Sequence, residues 1–286
     1  MTESTPPHKT LIPPVLLAIL FFVIAMVFRV IDIFVLQLHL TDWSIITSKV
    51  IPLVILLVYV AVVYRTFSVL GIHTKYLVIN IVLGVLTYIF YFVLPLALEL
   101  FIELIFGLVP SFTLSVIPAV FVVYFLVFYI INSFMEEGLF RGLMLRCFMT
   151  KTNVTVANII QALFFGFWHI VWPINALLMG MDPISAAWYA AYYIASSFII
   201  GIVTGYLFQK TSSLWAPIIL HTLWNFTLFI TTVSYLFPPS GLMTIILYGT
   251  TLFTEIIGAI IVILLIKFIS QRQRLPELTP WSSPLP

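Results

Sequence analysis

Charged residues are scarce in this sequence, and their scarcity restricts the class of protein. Only 8% of the 286 residues are Asp, Glu, Lys or Arg, whereas soluble domains average about 25%. Hydrophobic residues make up 63% of the chain, more than one soluble core of this length could bury. The composition therefore excludes a soluble enzyme and a disordered chain. The net charge of +2 gives no reason to expect a nucleic acid as partner.

Cysteine is almost absent as well. Cys147 is the only cysteine, so the chain has neither a disulfide framework nor a cysteine-based zinc site. The His-Glu-x-x-His motif of zinc proteases is also lacking. We therefore predict a polytopic membrane protein whose chemistry depends on the few polar residues within its apolar runs.

Eight apolar runs approach or reach the length of about 20 residues that a helix needs to cross a bilayer. They predict an all-α protein with about eight transmembrane helices and an intramembrane polar cavity. The multi-span domain would occupy 11–270, between a polar tail at 1–10 and a disordered cytoplasmic tail at 271–286. The runs lie at 11–31, 50–64, 76–98, 112–135, 153–172, 184–208, 214–236 and 242–269.

The positions of Lys and Arg predict the orientation, because an even number of spans puts both termini on one face. Lys49 alone falls on the opposite face, and Arg29 lies within the first run. The positive-inside rule then places both termini in the cytoplasm, for a multi-pass protein of the cell membrane or the ER membrane. Ten cations share the face of the termini: Lys9, Arg65, Lys75, Arg141, Arg146, Lys151, Lys210, Lys267, Arg272 and Arg274.

Two adjacent glutamates at the end of the fourth run form the first polar motif. Glu137 and Arg141 are four residues apart, so they share a helix face and are predicted to form an ion pair. Glu136 points about 100° away from Glu137. It would face a cavity, lose contact with water and become a stronger base. The alternative interpretation is a charge cluster at a cytoplasmic helix end.

The fifth and seventh runs contain the other polar motifs. If the fourth and fifth runs form a hairpin that turns near Thr150–Asn153, His169 lies at the level of Glu136. His221 and Asn225 are four residues apart and share one helix face. A single membrane histidine usually forms an interhelical hydrogen bond. Four such groups at one level instead favour hydrolysis.

In that reaction a carboxylate and an imidazole activate a water molecule, and a second imidazole and a carboxamide stabilise the oxyanion. Glu136 and His169 fit the first task, and His221 and Asn225 fit the second.

The three motifs, in this order, resemble the signatures of the CPBP family of intramembrane proteases. That family includes type II CAAX prenyl endopeptidases and bacteriocin-processing or immunity-linked, Abi-like membrane proteases. The resemblance is sharp over about 118–228. It implies a helical intramembrane endopeptidase in which Glu136 activates water with His169, while His221 and Asn225 form the oxyanion hole. The supporting residues are Glu137 and Arg141.

In the CAAX branch, the resemblance implies release of a C-terminal tripeptide after a prenylated cysteine. The expected partners are therefore the lipid bilayer and a peptide or protein substrate, prenylated or not, with no nucleic acid. We expect no cofactor. The alternative is a zinc-dependent form of the same protease, a metalloendopeptidase with Glu136, His169 and His221 as metal ligands.

Two further alternatives belong to other functional classes. A proton-coupled transporter would use intramembrane carboxylates such as Glu99, Glu103 and Glu255. For Glu99 and Glu103 the simpler interpretation is an exposed outer helix end, and the role of Glu255 is open. The other alternative is a non-catalytic membrane scaffold or immunity protein of the same fold.

Overall fold

The structure is a computed structural model that describes residues 12–37, 46–107, 110–114, 117–235 and 241–281. The predicted polar tail at 1–10 lies outside the described residues, as do the last five residues of the predicted C-terminal tail.

Apolar helices dominate the described part of the chain and confirm an all-α, polytopic membrane protein. Seven of them are long and apolar enough to cross a bilayer, and an eighth has 16 residues. Each corresponds to one predicted run. In chain order they are α1 (Pro14–Val35), α2 (Ile46–Val63), α3 (Leu77–Ile105), α4 (Ala119–Phe148), α5 (Val154–Leu178), α6 (Pro183–Thr211), α7 (Trp215–Ile230) and α8 (Leu242–Gln273).

Proline and short polar side chains mark where several helices begin. α6 starts at Pro183, and the Asp182 carboxylate accepts hydrogen bonds from two backbone N–H groups of its first turn. α5 starts after Asn153, whose side chain accepts a hydrogen bond from the N–H of Val156 at 2.9 Å. The α4–α5 turn therefore lies where the sequence predicts it.

A short antiparallel ribbon is the one departure from an all-helical fold in the described residues. β1 (Pro110–Leu114) pairs with β2 (Thr231–Tyr235), with Leu114 opposite Thr231. β2 is rich in β-branched residues, which favour extended backbone. α7 therefore ends at Ile230, earlier than the predicted run 214–236.

The prediction of a disordered C-terminal tail is wrong for residues 274–281, which pack against the helices. The Trp281 indole N–H donates to the Tyr64 hydroxyl at 2.6 Å. The Trp281 backbone N–H donates to the carbonyl of Arg146 at 2.9 Å. The proline-rich composition of the tail conceals three apolar anchors that are buried here: Leu275, Leu278 and Trp281.

These contacts define two faces of the helix bundle. The terminal face comprises the connections 64–76, 149–153 and 212–214 with the packed tail 274–281. The ribbon face, on the opposite side, comprises β1, β2 and the connection 179–182. Because the helices alternate in direction, α4 and α6 run from the ribbon face to the terminal face, and α5 and α7 run back.

Candidate active site

One cavity of about 400 Å³ lies between α1, α2, α4, α5, α6 and α7. The structure brings four predicted site residues together in its wall: Glu136 from α4, His169 from α5, and His221 and Asn225 from α7. Their catalytic roles stay predictions, but their convergence from three helices is a property of the fold.

The two glutamates lie immediately before an eight-residue π-helical stretch of α4, Gly138–Leu145, all of which is buried. A π-helical turn contains more residues than an α-helical one, and such turns are frequent at functional sites. The predicted ion pair is present: Arg141 Nη1 lies 3.1 Å from Glu137 Oε1, and neither side chain is exposed. A buried charge of this kind is stable only with its partner.

Glu137 also orients His221, a contact that spacing along the sequence does not predict. His221 Nδ1 lies 2.7 Å from Glu137 Oε1. The other ring nitrogen, Nε2, lies 3.7 Å from Glu136 Oε2. A histidine whose Nδ1–H is held by a carboxylate has a fixed ring orientation. Glu137 therefore links Arg141 to His221 and directs the imidazole towards Glu136.

Glu136 has three close partners in the structure. Its Oε1 lies 2.6 Å from Lys49 Nζ and 3.8 Å from Arg29 Nη1, and it accepts a hydrogen bond from the Trp168 indole at 3.1 Å. Glu136 is buried, as expected, but two cations compensate the burial, and the sequence does not predict them as its partners. Glu136 Oε2 makes no hydrogen bond within the described residues.

The sequence patterns predict no role for Arg29, Lys49 or Trp168. The Arg29 guanidinium carbon lies 4.2 Å from the centroid of the Trp168 ring, a cation–π contact that holds both side chains beside Glu136. Two signals were present in the sequence. Arg29 lies inside an apolar run, and Lys49 is the single cation predicted on its face.

His169 lies at a break in α5, between the helical segments Val154–Trp168 and Val171–Leu178. Its Nδ1 lies 2.8 Å from the carbonyl oxygen of Phe165. A carbonyl can only accept, so Nδ1 carries the proton and Nε2 is the nitrogen available to other groups. Asn225 lies one turn after His221, is half-buried and also lines the cavity.

The alternative zinc ligands fit a metal poorly. The described residues contain no group of three or more His, Cys, Asp or Glu side chains arranged to hold a metal ion. The Lys49 ammonium already lies against the carboxylate of Glu136. A zinc ion at the same carboxylate would be repelled by this ammonium and by the guanidinium of Arg29.

A second cavity, of about 200 Å³, is lined by two carboxylates of the transporter alternative, Glu99 and Glu255. Ser196 donates to Glu255 Oε1 at 2.8 Å, and Thr251 donates to Glu99. Glu103 is buried. The interpretation of Glu99 and Glu103 as an exposed helix end is therefore wrong, because the long helix α8 packs against this part of α3.

Residues 118–227 match the family described as type II CAAX prenyl endopeptidase, Rce1-like. This segment is a CPBP-family domain. It comprises α4, α5, α6 and most of α7, and it contains all four predicted site residues. Arg29 and Lys49 lie outside it. A comparison with the curated proteins gives no match.

The CPBP-family domain and the apolar helices together identify a multi-pass membrane protein with a domain of a peptidase family.

Proposed function

We propose that the protein is an intramembrane endopeptidase in which Glu136 activates the water that attacks the peptide bond. The observation that carries this proposal is the arrangement around Glu136. One oxygen, Oε1, is held by Lys49 and Trp168, while Oε2 faces His221 in a cavity that His169 also lines. A general base needs such an oriented oxygen, and Oε2 is buried with no hydrogen-bond partner among the described residues.

The proposed reaction uses these positions as follows. A water molecule bound between Glu136 Oε2 and His169 Nε2 gives a proton to the carboxylate, and its oxygen attacks the peptide carbonyl. His221, protonated at both nitrogens, keeps its bond to Glu137 and donates from Nε2 to the oxyanion together with the Asn225 amide. Glu136 then passes its proton to the leaving nitrogen, the C–N bond breaks, and a carboxylic acid and an amine form. The acid then gives its proton to the amine, which leaves a carboxylate and an ammonium group.

The proposed substrate is a peptide or protein segment at the membrane. Release of a prenylated C-terminal tripeptide is the activity of the matched family, and processing of other membrane peptides is the alternative. We place the protein in the cell membrane or the ER membrane with both termini in the cytoplasm. The resident zinc ion of the metalloendopeptidase alternative is disfavoured by Lys49 and Arg29.

The test is cleavage of a membrane-tethered reporter in liposomes by the purified protein. We expect Glu136→Gln to lower the rate by a factor of about 10²–10⁴, the usual contribution of a general base. Glu277→Gln is the matched control, because this glutamate is exposed on the packed tail. Equal cleavage by wild type and Glu136→Gln contradicts the proposal. Metal analysis combined with chelation tests the zinc alternative, for which a stoichiometric zinc lost together with activity is required.

A second candidate function is proton-coupled transport, favoured by the cavity that contains Glu99 and Glu255. That cavity shares Tyr193 and Leu228 with the first one. A transporter keeps a substrate-dependent flux when Glu136 and His169 are both replaced by Ala, but loses it in Glu255→Gln. A protease loses reporter cleavage when Glu136 and His169 are both replaced by Ala, but keeps it in Glu255→Gln.

A further inference from the structure

A third cavity, of about 200 Å³, lies on the terminal face and shares no lining residue with the cavity of Glu136. It is formed by the last turns of α6 and α8 and by the start of the packed tail. The Leu275 N–H donates to the carbonyl of Ser270 at 3.1 Å, and the Leu278 N–H donates to the carbonyl of Gln209 at 3.1 Å. The cavity therefore exists because the tail turns at the end of α8 and is bonded to α6.

The wall of this cavity is rich in positive charge. Three of its eight lining residues are cations: Lys210, Lys267 and Arg274. Lys210 is paired with Glu277, whose carboxylate lies 3.1 Å from the ammonium nitrogen. Lys267 and Arg274 are exposed, and neither forms an ion pair with any carboxylate that the structure describes. Two positive charges of the wall thus have no counter-ion among the described residues.

The helix ends explain only part of this charge. Cations are common at helix C-termini, where they offset the partial negative charge of the helix dipole. α6 and α8 both end at the cavity, and their dipoles contribute about half a negative charge each. Lys267 and Arg274 contribute two positive charges. About one unit of positive charge therefore remains for an anionic ligand.

The side chains in the wall suit a phosphate group. Lys267 and Arg274 are seven residues apart at the end of α8, so they lie on one side of the helix, about 10 Å apart along its axis. Both side chains are long enough to contact one anion placed between them. A guanidinium binds phosphate through two parallel hydrogen bonds, and a lysine adds a point charge. The exposed Gln271, between the two cations, also lines the cavity and carries an amide that can donate.

The neighbouring surface of α8 favours a lipid as the source of the phosphate. Ile260, Leu264 and Phe268 follow one another at one-turn intervals and are 55%, 61% and 61% exposed. They form an apolar strip that runs along the membrane-spanning part of α8 and ends beside Lys267. The acyl chains of a phospholipid can lie along this strip while its phosphate occupies the cavity. Basic pockets between transmembrane helices bind anionic lipid headgroups in this way.

We infer that this cavity binds the phosphate of an anionic phospholipid through Lys267 and Arg274. A zwitterionic lipid binds less well, because the two cations repel its own positive group. The bound lipid stabilises the packed tail, since Arg274 immediately precedes the buried anchor Leu275 and a ligand of the folded form raises stability. This inference goes beyond the proposed endopeptidase function and does not depend on it.

The test is thermal unfolding of the purified, full-length protein in a nonionic detergent. Phosphatidylglycerol, phosphatidylcholine and soluble glycerol phosphate are titrated separately. The pocket variant combines Lys267→Gln with Arg274→Gln. The matched control combines Lys75→Gln with Lys151→Gln, which removes two exposed cations of the terminal face that do not line the cavity. Both variants lose the same net charge, so a difference between them reports on the cavity.

We expect phosphatidylglycerol to raise the unfolding temperature of wild type by about 5 °C near saturation. Phosphatidylcholine and glycerol phosphate should have little effect. The matched control should respond like wild type, whereas the pocket variant should need about tenfold more phosphatidylglycerol for the same rise. If the pocket variant does not fold, Lys267→Gln replaces it, with Lys151→Gln as its control. Lys267→Arg retains the cation and should keep the response of wild type.

Several results overturn the inference. One is the absence of any rise with phosphatidylglycerol in wild type, and another is an equal rise in wild type and the pocket variant. An equal loss of response in both double variants assigns the effect to the general surface charge. An equal response to phosphatidylcholine and phosphatidylglycerol contradicts the role of the two cations. If glycerol phosphate acts as strongly as phosphatidylglycerol, the phosphate site is supported but a lipid as its source is excluded.

Discussion

The CPBP-family domain and the two helices that precede it contribute differently to the same site. The domain supplies Glu136, His169, His221 and Asn225, the groups that would act on the substrate. Helices α1 and α2 supply Arg29 and Lys49, the cations that neutralise the carboxylate. A family match over the domain alone therefore does not identify the charge balance of the site.

The largest effect on stability is expected inside the domain, from Glu137→Ala. This change leaves Arg141 as an uncompensated buried charge, which costs about 3–5 kcal/mol in the free energy of unfolding. It also releases His221, so activity falls as well. Thermal unfolding in detergent measures the loss, with Glu277→Ala as the exposed control. A melting curve like that of wild type contradicts the buried pair.

The next effect tests whether the packed tail joins the two regions. Trp281 bonds to Tyr64, which follows α2, and to Arg146 in α4 of the domain. Trp281→Ala removes a buried indole and its hydrogen bond, and we expect a loss of about 3 kcal/mol. Trp281→Phe keeps most of the packing and should lose less. Equal unfolding temperatures for all three proteins would show that the tail does not contribute to stability.

A smaller stability change, with a clear change in activity, is expected from Lys49→Met on α2. Glu136 keeps Arg29 at 3.8 Å but loses its closest cation, at a cost of about 1–3 kcal/mol. The reporter cleavage rate should fall, and Lys49→Arg should restore part of it because a cation returns. Wild-type cleavage by Lys49→Met would mean that the domain alone determines activity.

The smallest effect concerns the first turn of α6. Hydrogen bonds from Ser185 and from backbone N–H groups lower the pKa of the exposed Asp182 below its ordinary value of 3.8. The carboxylate therefore stabilises this turn above that value, and the contribution is lost as the pH falls through the lowered pKa. The protection factors of the amides in this turn should fall in acid for wild type and should already be low at neutral pH in Asp182→Ala.

The sequence was informative where a local pattern determined the structure. Apolar runs predict the eight helices, and the four-residue spacing of Glu137 and Arg141 predicts their ion pair, because both depend on neighbours along one helix. The pair of Lys49 and Glu136 spans 87 residues, and no local pattern encodes such a contact. The packing of the C-terminal tail is not predicted for a related reason, since its three apolar anchors are separated by polar residues and prolines.

The shortness of α7 has a consequence for the supply of water. With 16 residues, α7 spans about 24 Å, less than the hydrocarbon thickness of about 30 Å. A bilayer adapts to such hydrophobic mismatch by thinning locally. Since α7 carries His221 and Asn225, we expect the lipid headgroups to lie deeper beside these two residues. Water would then reach Glu136 through the locally thinned part of the bilayer, without a long channel through the protein.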